Sequence, residues 1–466
     1  MTHRWINYAL TVLVGLGLLL VAAYNQPRDR QERAEFLDQE LAEDDREADV
    51  ELPDPAERDP IQLRPLDRSA EVPEIDAGEP APPPRLDSIG VSASHPLAVE
   101  VGMEVLASGR NAVGPPERRG ATALSPYIRH GLIPLPEAWA AVGDAPARDR
   151  QKFRDELLWQ EHSRHLYARV GSGLADGLRH SLAGDPWNGG DIGEVWDPAM
   201  ACLKVTTDEL TTDGYLVNQT RMWLASHWAV REGVDWRAGE DAFFRHLLDG
   251  SRAANRSGWQ WTIGTGNGKP YGFSRWQVDK RAPGLCDTCA LRDACPIDGW
   301  PEDPPLPRAD EHPRLRRDED PALTGGPGRA SITGQPEAVW LTAESLGDAD
   351  PALVAHPDLP AVFVFDAPLL ARLRLSGKRL VFLVECLADL AERTHLEVAV
   401  GDPVEVLSGR RLAATFAPVP GWRRRAAALD VVATHPWPWL VRPHGGSAAS
   451  FSAWRKHAER GGIPTG

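Results

Sequence analysis

Cysteine is scarce in this sequence, with five among 466 residues. That density excludes a fold stapled together by disulfides. Lysine is scarcer still for its kind: only six of the 51 basic residues are lysine, so positive charge is carried by arginine. Positive charge is also short overall, and the net charge of −16 looks hostile to a polyanionic partner. Its distribution changes that reading. Between Arg28 and Asp87 there are 20 acidic and 8 basic residues, so −12 of the total sits in this one stretch. The remainder is only mildly acidic, which leaves room for a local basic groove. Residues 25–92 are poor in aromatics and rich in proline and acid. Such a composition cannot bury enough surface to offset the entropy of ordering, and it reads as a disordered tether, helical at most over Gln31–Glu47.

Ahead of the tether, Ile6–Tyr24 is 19 residues without a charge. At about 1.5 Å per residue such a helix spans roughly the 30 Å hydrocarbon core of a bilayer. Residues 1–24 are expected to be a single-pass anchor in the inner (cytoplasmic) membrane. A cleaved signal peptide is the alternative, because Val21-Ala22-Ala23 is a small-residue stretch of the cleavage-site kind. Only Arg4 precedes the span, while Arg28, Arg30 and Arg33 follow it, which places the C-terminal side in the cytoplasm.

From residue 93 to about 300 apolar residues recur at helical spacing, with helices expected over 96–109, 125–142, 147–170, 203–231 and 238–256. No alternating strand pattern interrupts them. Tryptophan is abundant, at 17 residues, and two of them bracket a glutamine in Trp259-Gln260-Trp261. Exposed rings of that size are costly, so the pair is either core or a platform for flat aromatic groups. Ser125 is placed to cap a helix that has Pro126 in its first turn. Glu156 and Trp159 lie three apart and so share a helix face. Asn218, Arg221 and Met222, at i, i+3 and i+4, do the same. After a proline- and charge-rich linker at 301–335 the pattern changes. Val339-Trp-Leu341 and Ala361–Phe365 are short apolar runs, and a helix over Ser376–Thr394 separates the second from Leu396-Glu-Val-Ala-Val400. Strand, helix, strand over 336–466 reads as a doubly wound parallel α/β unit.

Taken together these motifs resemble the photolyase/cryptochrome family. The resemblance rests on Gly120–Tyr127, Glu156-Leu-Leu-Trp159, Asn218–Met222, Val234–Glu240 and Leu247–Gly266. It implies an all-helical FAD-binding domain in which Thr122, Leu124, Ser125, Phe153, Arg221, Asp249 and Asn255 hold the flavin. Glu156, Trp159, Asn218, Met222 and Trp261 would face the lesion in UV-damaged DNA. Trp259, Trp236 and Trp196, from inside to outside, would relay electrons, with Trp187 competing for the outer place. The sequence departs from the family at Ala121, Gln160, Val217 and Ser251. The implied activity is light-driven splitting of pyrimidine dimers. The alternatives are repair of (6-4) photoproducts and a membrane-tethered blue-light receptor of cryptochrome type.

Cys286-x2-Cys289-x5-Cys295-Pro296 is a compact set of thiols that asks for a metal, and Cys202 is the available fourth ligand. The arrangement resembles the iron–sulfur branch of bacterial photolyases, which implies a 4Fe-4S cluster; a zinc ion is the alternative. Cys386 falls in a regular helix and is expected to be core. The α/β unit resembles the photolyase antenna domain through Val362–Asp366, Ser376–Arg379 and Gly401-Asp-Pro403. In the family that domain comes first. Here it comes last, which reads as a circular permutation. An antenna chromophore of unspecified identity is allowed by this resemblance, and a bracing role alone is the alternative. A monomer is expected.

Overall fold

A computed structural model describes residues 121–463, apart from 183–191 and 302–304. The expected anchor, tether and 96–109 helix lie outside the described residues. No helix among the described residues is long and apolar enough to cross a membrane.

The first part is helical. Helices α1 (Ser125–Arg129), α2 (Leu135–Ala141), α3 (Ala147–Val170), α4 (Ala201–Thr212), α5 (Asn218–Ala225), α6 (Trp236–His246), α7 (Arg252–Ile263) and α8 (Arg275–Arg281) follow in order. Helix α3 matches the expected 147–170 span. It starts after Pro146 and stops where Gly171 takes a positive φ of 63°. The other long spans are broken. The 125–142 span divides at Gly131 (φ 69°) and Pro134. The 203–231 span divides at Gly214 (φ 69°), and its second half runs through a wide π-turn over Ser226–Arg231. The 238–256 span divides at the Asp249-Gly250 turn. In each case a glycine or proline stops the chain where apolar periodicity alone would continue it.

The second part is a six-stranded sheet of β1 (Ser331–Ile332), β2 (Ala338–Leu341), β3 (Ala361–Asp366), β4 (Leu396–Gly401), β5 (Leu412–Thr415) and β6 (Val431–His435). The spatial order is β1-β6-β5-β2-β3-β4, parallel except where β1 pairs with β6. The chain moves outward from β2 through β3 to β4, then returns to β5 and β6 on the other side, as a doubly wound sheet does. Helix α9 (Gly377–Leu390) covers one face, and helix α10 (Phe451–Arg460) leaves the sheet to pack on α3. Strands β2 and β5 are buried at every position, which explains their unbroken apolar runs.

The two parts share a built interface. The Arg379 guanidinium, on α9, is buried and donates to the carbonyls of Phe244 and Gly250, the latter at 3.0 Å. Arg129 Nε donates to the same Gly250 carbonyl at 3.1 Å and its head group pairs with Glu344. His130 bridges the carbonyls of Ala343 (2.7 Å) and Leu248 (3.2 Å). The stretch at 301–335, expected to be a loose linker, is instead packed. Leu315 is fully buried in the α3 core, and Asp318 forms a buried ion pair with Arg169 at 3.5 Å. Burial of one apolar residue and one matched charge is enough to hold a polar segment down.

Candidate functional site

The turn between α6 and α7 organises the first half of the site. Asp249 Oδ2 accepts from Arg221 on α5 at 2.7 Å. Burial alone would raise the Asp249 carboxyl; Arg221 and hydrogen bonds from Arg221 and Ser125 outweigh it and hold the carboxyl below its ordinary value. Ser125 does not cap α1, contrary to expectation: Leu124 occupies the cap position without a side-chain cap bond. The Ser125 hydroxyl is engaged by Asp249 and Tyr215 instead. Ala123, just ahead, has a left-handed φ of 51°, a conformation a residue with a side chain adopts rarely. Thr122 is half-buried beside it, Leu124 is buried, and Phe153 packs at the edge of the α3 core.

Helix α7 sends three consecutive residues three ways. Trp259 is buried and its ring lies against Gly239 of α6; a Cβ there would sit 2.2 Å from the indole. Gln260 is fully buried and acts as a peg. Its Nε2 donates to Leu174 O (2.8 Å) and Asp176 O (2.6 Å), and its Oε1 accepts from Leu178 N at 2.9 Å and from Thr265 at 2.8 Å. Trp261 is left 40 % exposed, tilted against Tyr271 at 5.7 Å. Arg252 locks α7 to α6 through Glu240 (2.5 Å) and Asp241 (2.6 Å).

Several buried polar atoms near this turn have no hydrogen-bond partner: Asp249 Oδ1, Asn255 Nδ2 and Trp259 Nε1. Buried groups of this kind are normally satisfied. An acceptor ahead of α7, and an amide donor and an indole donor along it, suit a planar polar heterocycle better than an apolar ligand. The residue set therefore fits a flavin.

The substrate-side residues lie on α3, α5 and α7. Trp159 is 41 % exposed, nearly the same as Trp261. Asn218 is exposed at the start of α5 and Met222 is half-buried one turn on. Glu156 is exposed by surface area, yet desolvation pushes its carboxyl above the ordinary value. Both observations hold for a group lining a concave opening, where solvent reaches the side chain but protein surrounds it.

The tryptophans expected to form a relay are not placed alike. Trp259 meets Phe243 edge-on at 5.2 Å, and Trp236 is buried under Arg237 at 5.3 Å. Trp196, expected as the outer member, is interior. It is 1 % exposed, donates to Leu224 O at 3.0 Å, and packs on Trp228 (4.9 Å) and Phe243 (6.0 Å). Its indole fills the core between α5 and α6 instead of reaching water. Trp187 lies outside the described residues.

Cys202, on α4, and Cys286, Cys289 and Cys295, in two tight turns, line one opening together with Met200, Val278, Leu291 and Ile297. The space is about 290 Å3, counting its open mouth. Burial pushes the Cys202 thiol up to about 12, and burial with Asp279 does the same to Cys286. Among the described residues no three His, Cys, Asp or Glu side chains come close enough together to hold a single metal ion. Cys386 is buried in the α9 core, as expected.

The open polar atoms sit on a helical part of the chain that is similar to known proteins. Residues 153–278 match the family described as the FAD binding domain of DNA photolyase. This stretch contains every expected site residue except Thr122, Leu124, Ser125 and the three clustered cysteines. The chain is similar to a deoxyribodipyrimidine photo-lyase of Synechococcus sp., 33 % identical over 164 residues, covering 32 % of this chain and 34 % of that protein. It is similar to one from Thermus thermophilus, 30 % identical over 230 residues, covering 48 % of this chain and 52 % of the relative. The corresponding Vibrio cholerae protein is 30 % identical over 169 residues, covering 34 % and 36 %. The chain thus spans between a third and a half of the length of these relatives.

Sequence reasoning missed several residues that shape the site. Gly239, Gln260 and Arg379 act through contacts that no motif displays. Phe451 lies flat on Trp159, and only the aromatic residues of its segment hinted at a role.

Proposed function

We propose that this protein is a light-driven DNA repair flavoprotein that splits UV-induced pyrimidine dimers. One observation carries the reading: Trp261 stands half-exposed on α7, the helix that also carries the open polar atoms of Asn255 and Trp259, next to the turn with Asp249, and Trp159 stands equally exposed on α3. Bound in its reduced form, FAD supplies a light-excited electron donor. The chain's own residues do the rest. The Arg221–Asp249 pair and Asn255 offer fixed charge and hydrogen bonds to the cofactor. Trp159 and Trp261 offer stacking faces to bases taken out of the duplex, a step that damaged pairs allow at reduced cost. Asn218, Met222 and Glu156 are read as lining the same face, where burial raises the carboxyl of Glu156. Trp236 and Trp259 are positioned beside the cofactor helix as electron carriers.

The four cysteines are read as ligands of a 4Fe-4S cluster. An opening ringed by four thiols supplies the four ligands that such a cluster takes, and zinc is the alternative. The α/β part is read as an antenna-type domain, displaced to the end of the chain by circular permutation and bracing the Asp249-Gly250 turn through Arg379. The protein is read as a monomer, tethered to the cytoplasmic membrane by residues 1–24 with its folded part in the cytoplasm. The departures at Gln160 and Ser251, with the tether, favour a blue-light receptor as the second reading; (6-4) photoproducts are the alternative substrate.

The test is the full chain with an oligonucleotide carrying one thymine dimer, in blue light and in darkness, beside Trp261→Ala. Repair in light only, lost in the variant while flavin absorbance is kept, is the expected result. A flavin-loaded protein that photoreduces but repairs neither dimer nor (6-4) lesion would refute the enzyme reading. Iron and sulfide content, lost in Cys202→Ala, tests the cluster.

A further inference from the structure

The last helix of the chain reaches the substrate face. Ser450 caps α10, its Oγ accepting from Ala453 N at 3.2 Å, and so places Phe451 in the first turn. The Phe451 ring lies on the Trp159 ring with centroids 3.9 Å apart and planes within 10°. No other aromatic pair among the described residues is closer. His162, one turn along α3, packs edge-on against both rings, at 6.0 Å from Trp159 and 5.8 Å from Phe451. Helix α10 is held to α3 by other bonds as well. Trp454 Nε1 donates to His165 Nδ1 at 2.9 Å, and Arg455 pairs with Asp155 at 2.9 Å across 300 residues of sequence.

Trp159 is nevertheless 41 % exposed. One face of its indole is covered by Phe451, so the open face points away from α10. A ring clamped on one face and edged by His162 has a single orientation. Its free face then acts as a fixed platform, and stacking onto it costs no rotamer ordering.

We propose that Phe451 is a positioning residue for substrate: it backs Trp159 so that the indole receives an extruded pyrimidine, and the stacking site is complete only with the C-terminal segment in place. This rests on Trp159 being a base-stacking residue. It adds that the α/β part contributes directly to lesion recognition, through a residue that touches neither DNA nor flavin.

The experiment measures dissociation constants in darkness, where no turnover occurs, for the full chain with dimer-containing and undamaged oligonucleotides. The proteins are wild type, Trp159→Ala, Phe451→Ala, Phe451→Tyr and Arg455→Ala. Base stacking on an aromatic side chain implies a loss of about five- to hundredfold for Trp159→Ala on damaged DNA. Phe451→Ala is expected to weaken damaged-DNA binding about fivefold and leave undamaged DNA unchanged. Phe451→Tyr, which keeps a ring, should bind within twofold of wild type. Arg455→Ala cuts an α10–α3 contact without touching Trp159 and should have no effect. Wild-type affinity in Phe451→Ala while Trp159→Ala is weak would overturn the role of Phe451 alone. An equal loss in Arg455→Ala would overturn it too, because docking of α10 would then be the cause. Unchanged binding in Trp159→Ala would overturn the substrate face itself.

Discussion

Glu161 is fully buried on α3, two residues after Trp159. Its Oε1 accepts from the backbone N–H of Val441 at 2.9 Å, while Oε2 is buried without a partner. Burial pushes its carboxyl up to about 7 from an ordinary 4.5, against the opposing pull of Arg164. The folded state therefore binds this proton more tightly than the unfolded chain. Stability from that proton is present in full below pH 4.5 and is lost as pH rises through 7. The shift corresponds to about 3 kcal/mol in full, most of which disappears between pH 5 and pH 8. Glu161→Gln carries a neutral amide at every pH and has no such term. Urea unfolding followed by tryptophan fluorescence should show the variant gaining a few kcal/mol on wild type between pH 5 and pH 8. A gap that is the same at both pH values would refute the reasoning, because Glu161 would then be ionised throughout or exposed to water.

Gly239→Ala places a methyl group 2.2 Å from the Trp259 indole. We expect a loss of about 1–3 kcal/mol in unfolding free energy and less flavin retained per protein by absorbance, since the ring must move toward the cofactor side. Arg379→Ala strips donors from the buried Phe244 and Gly250 carbonyls, although Arg129 still serves Gly250. It should cost about 3 kcal/mol in urea unfolding and weaken FAD binding, and Arg379→Lys should not restore either, because one ammonium cannot span two carbonyls as the guanidinium fork does.

Much of the architecture was legible because local rules and tertiary packing agree. Helix α3 carries both its stop signals, Pro146 and Gly171, next to its ends. The parallel strands announce themselves as unbroken apolar runs because both faces of the sheet are covered. What failed were breaks that depend on distant residues. Gly250 is held in its turn by guanidinium groups from Arg129 and Arg379, 121 and 129 residues away. Periodicity within 238–256 contains no trace of them. The site residues were legible by type but not by exposure. Trp259 and Trp261 are chemically the same; only the peg made by Gln260, aimed at Leu174 and Asp176, decides which indole faces in. Trp196 shows the converse error, since its place in the motif order suggested an outlet and its packing on Trp228 and Phe243 buries it.

Two of the contacts between the α/β part and the helical part bear on the site. Arg379 and Leu248 hold the turn that carries Asp249, and Phe451 holds Trp159. Neither contact depends on which part comes first in the chain. Arg455 lies beside Asp155 near the start of α3, so the end of α10 and the beginning of the flavin domain are neighbours in space. The interface is specified by side chains and not by the link, so it does not depend on the order of the parts. The two contacts also explain why a displaced domain would be kept in contact: releasing α10 would free one face of Trp159, and releasing α9 would leave the Gly250 carbonyl to Arg129 alone. Both losses fall on residues of the candidate site, so the integrity of the site depends on the interface.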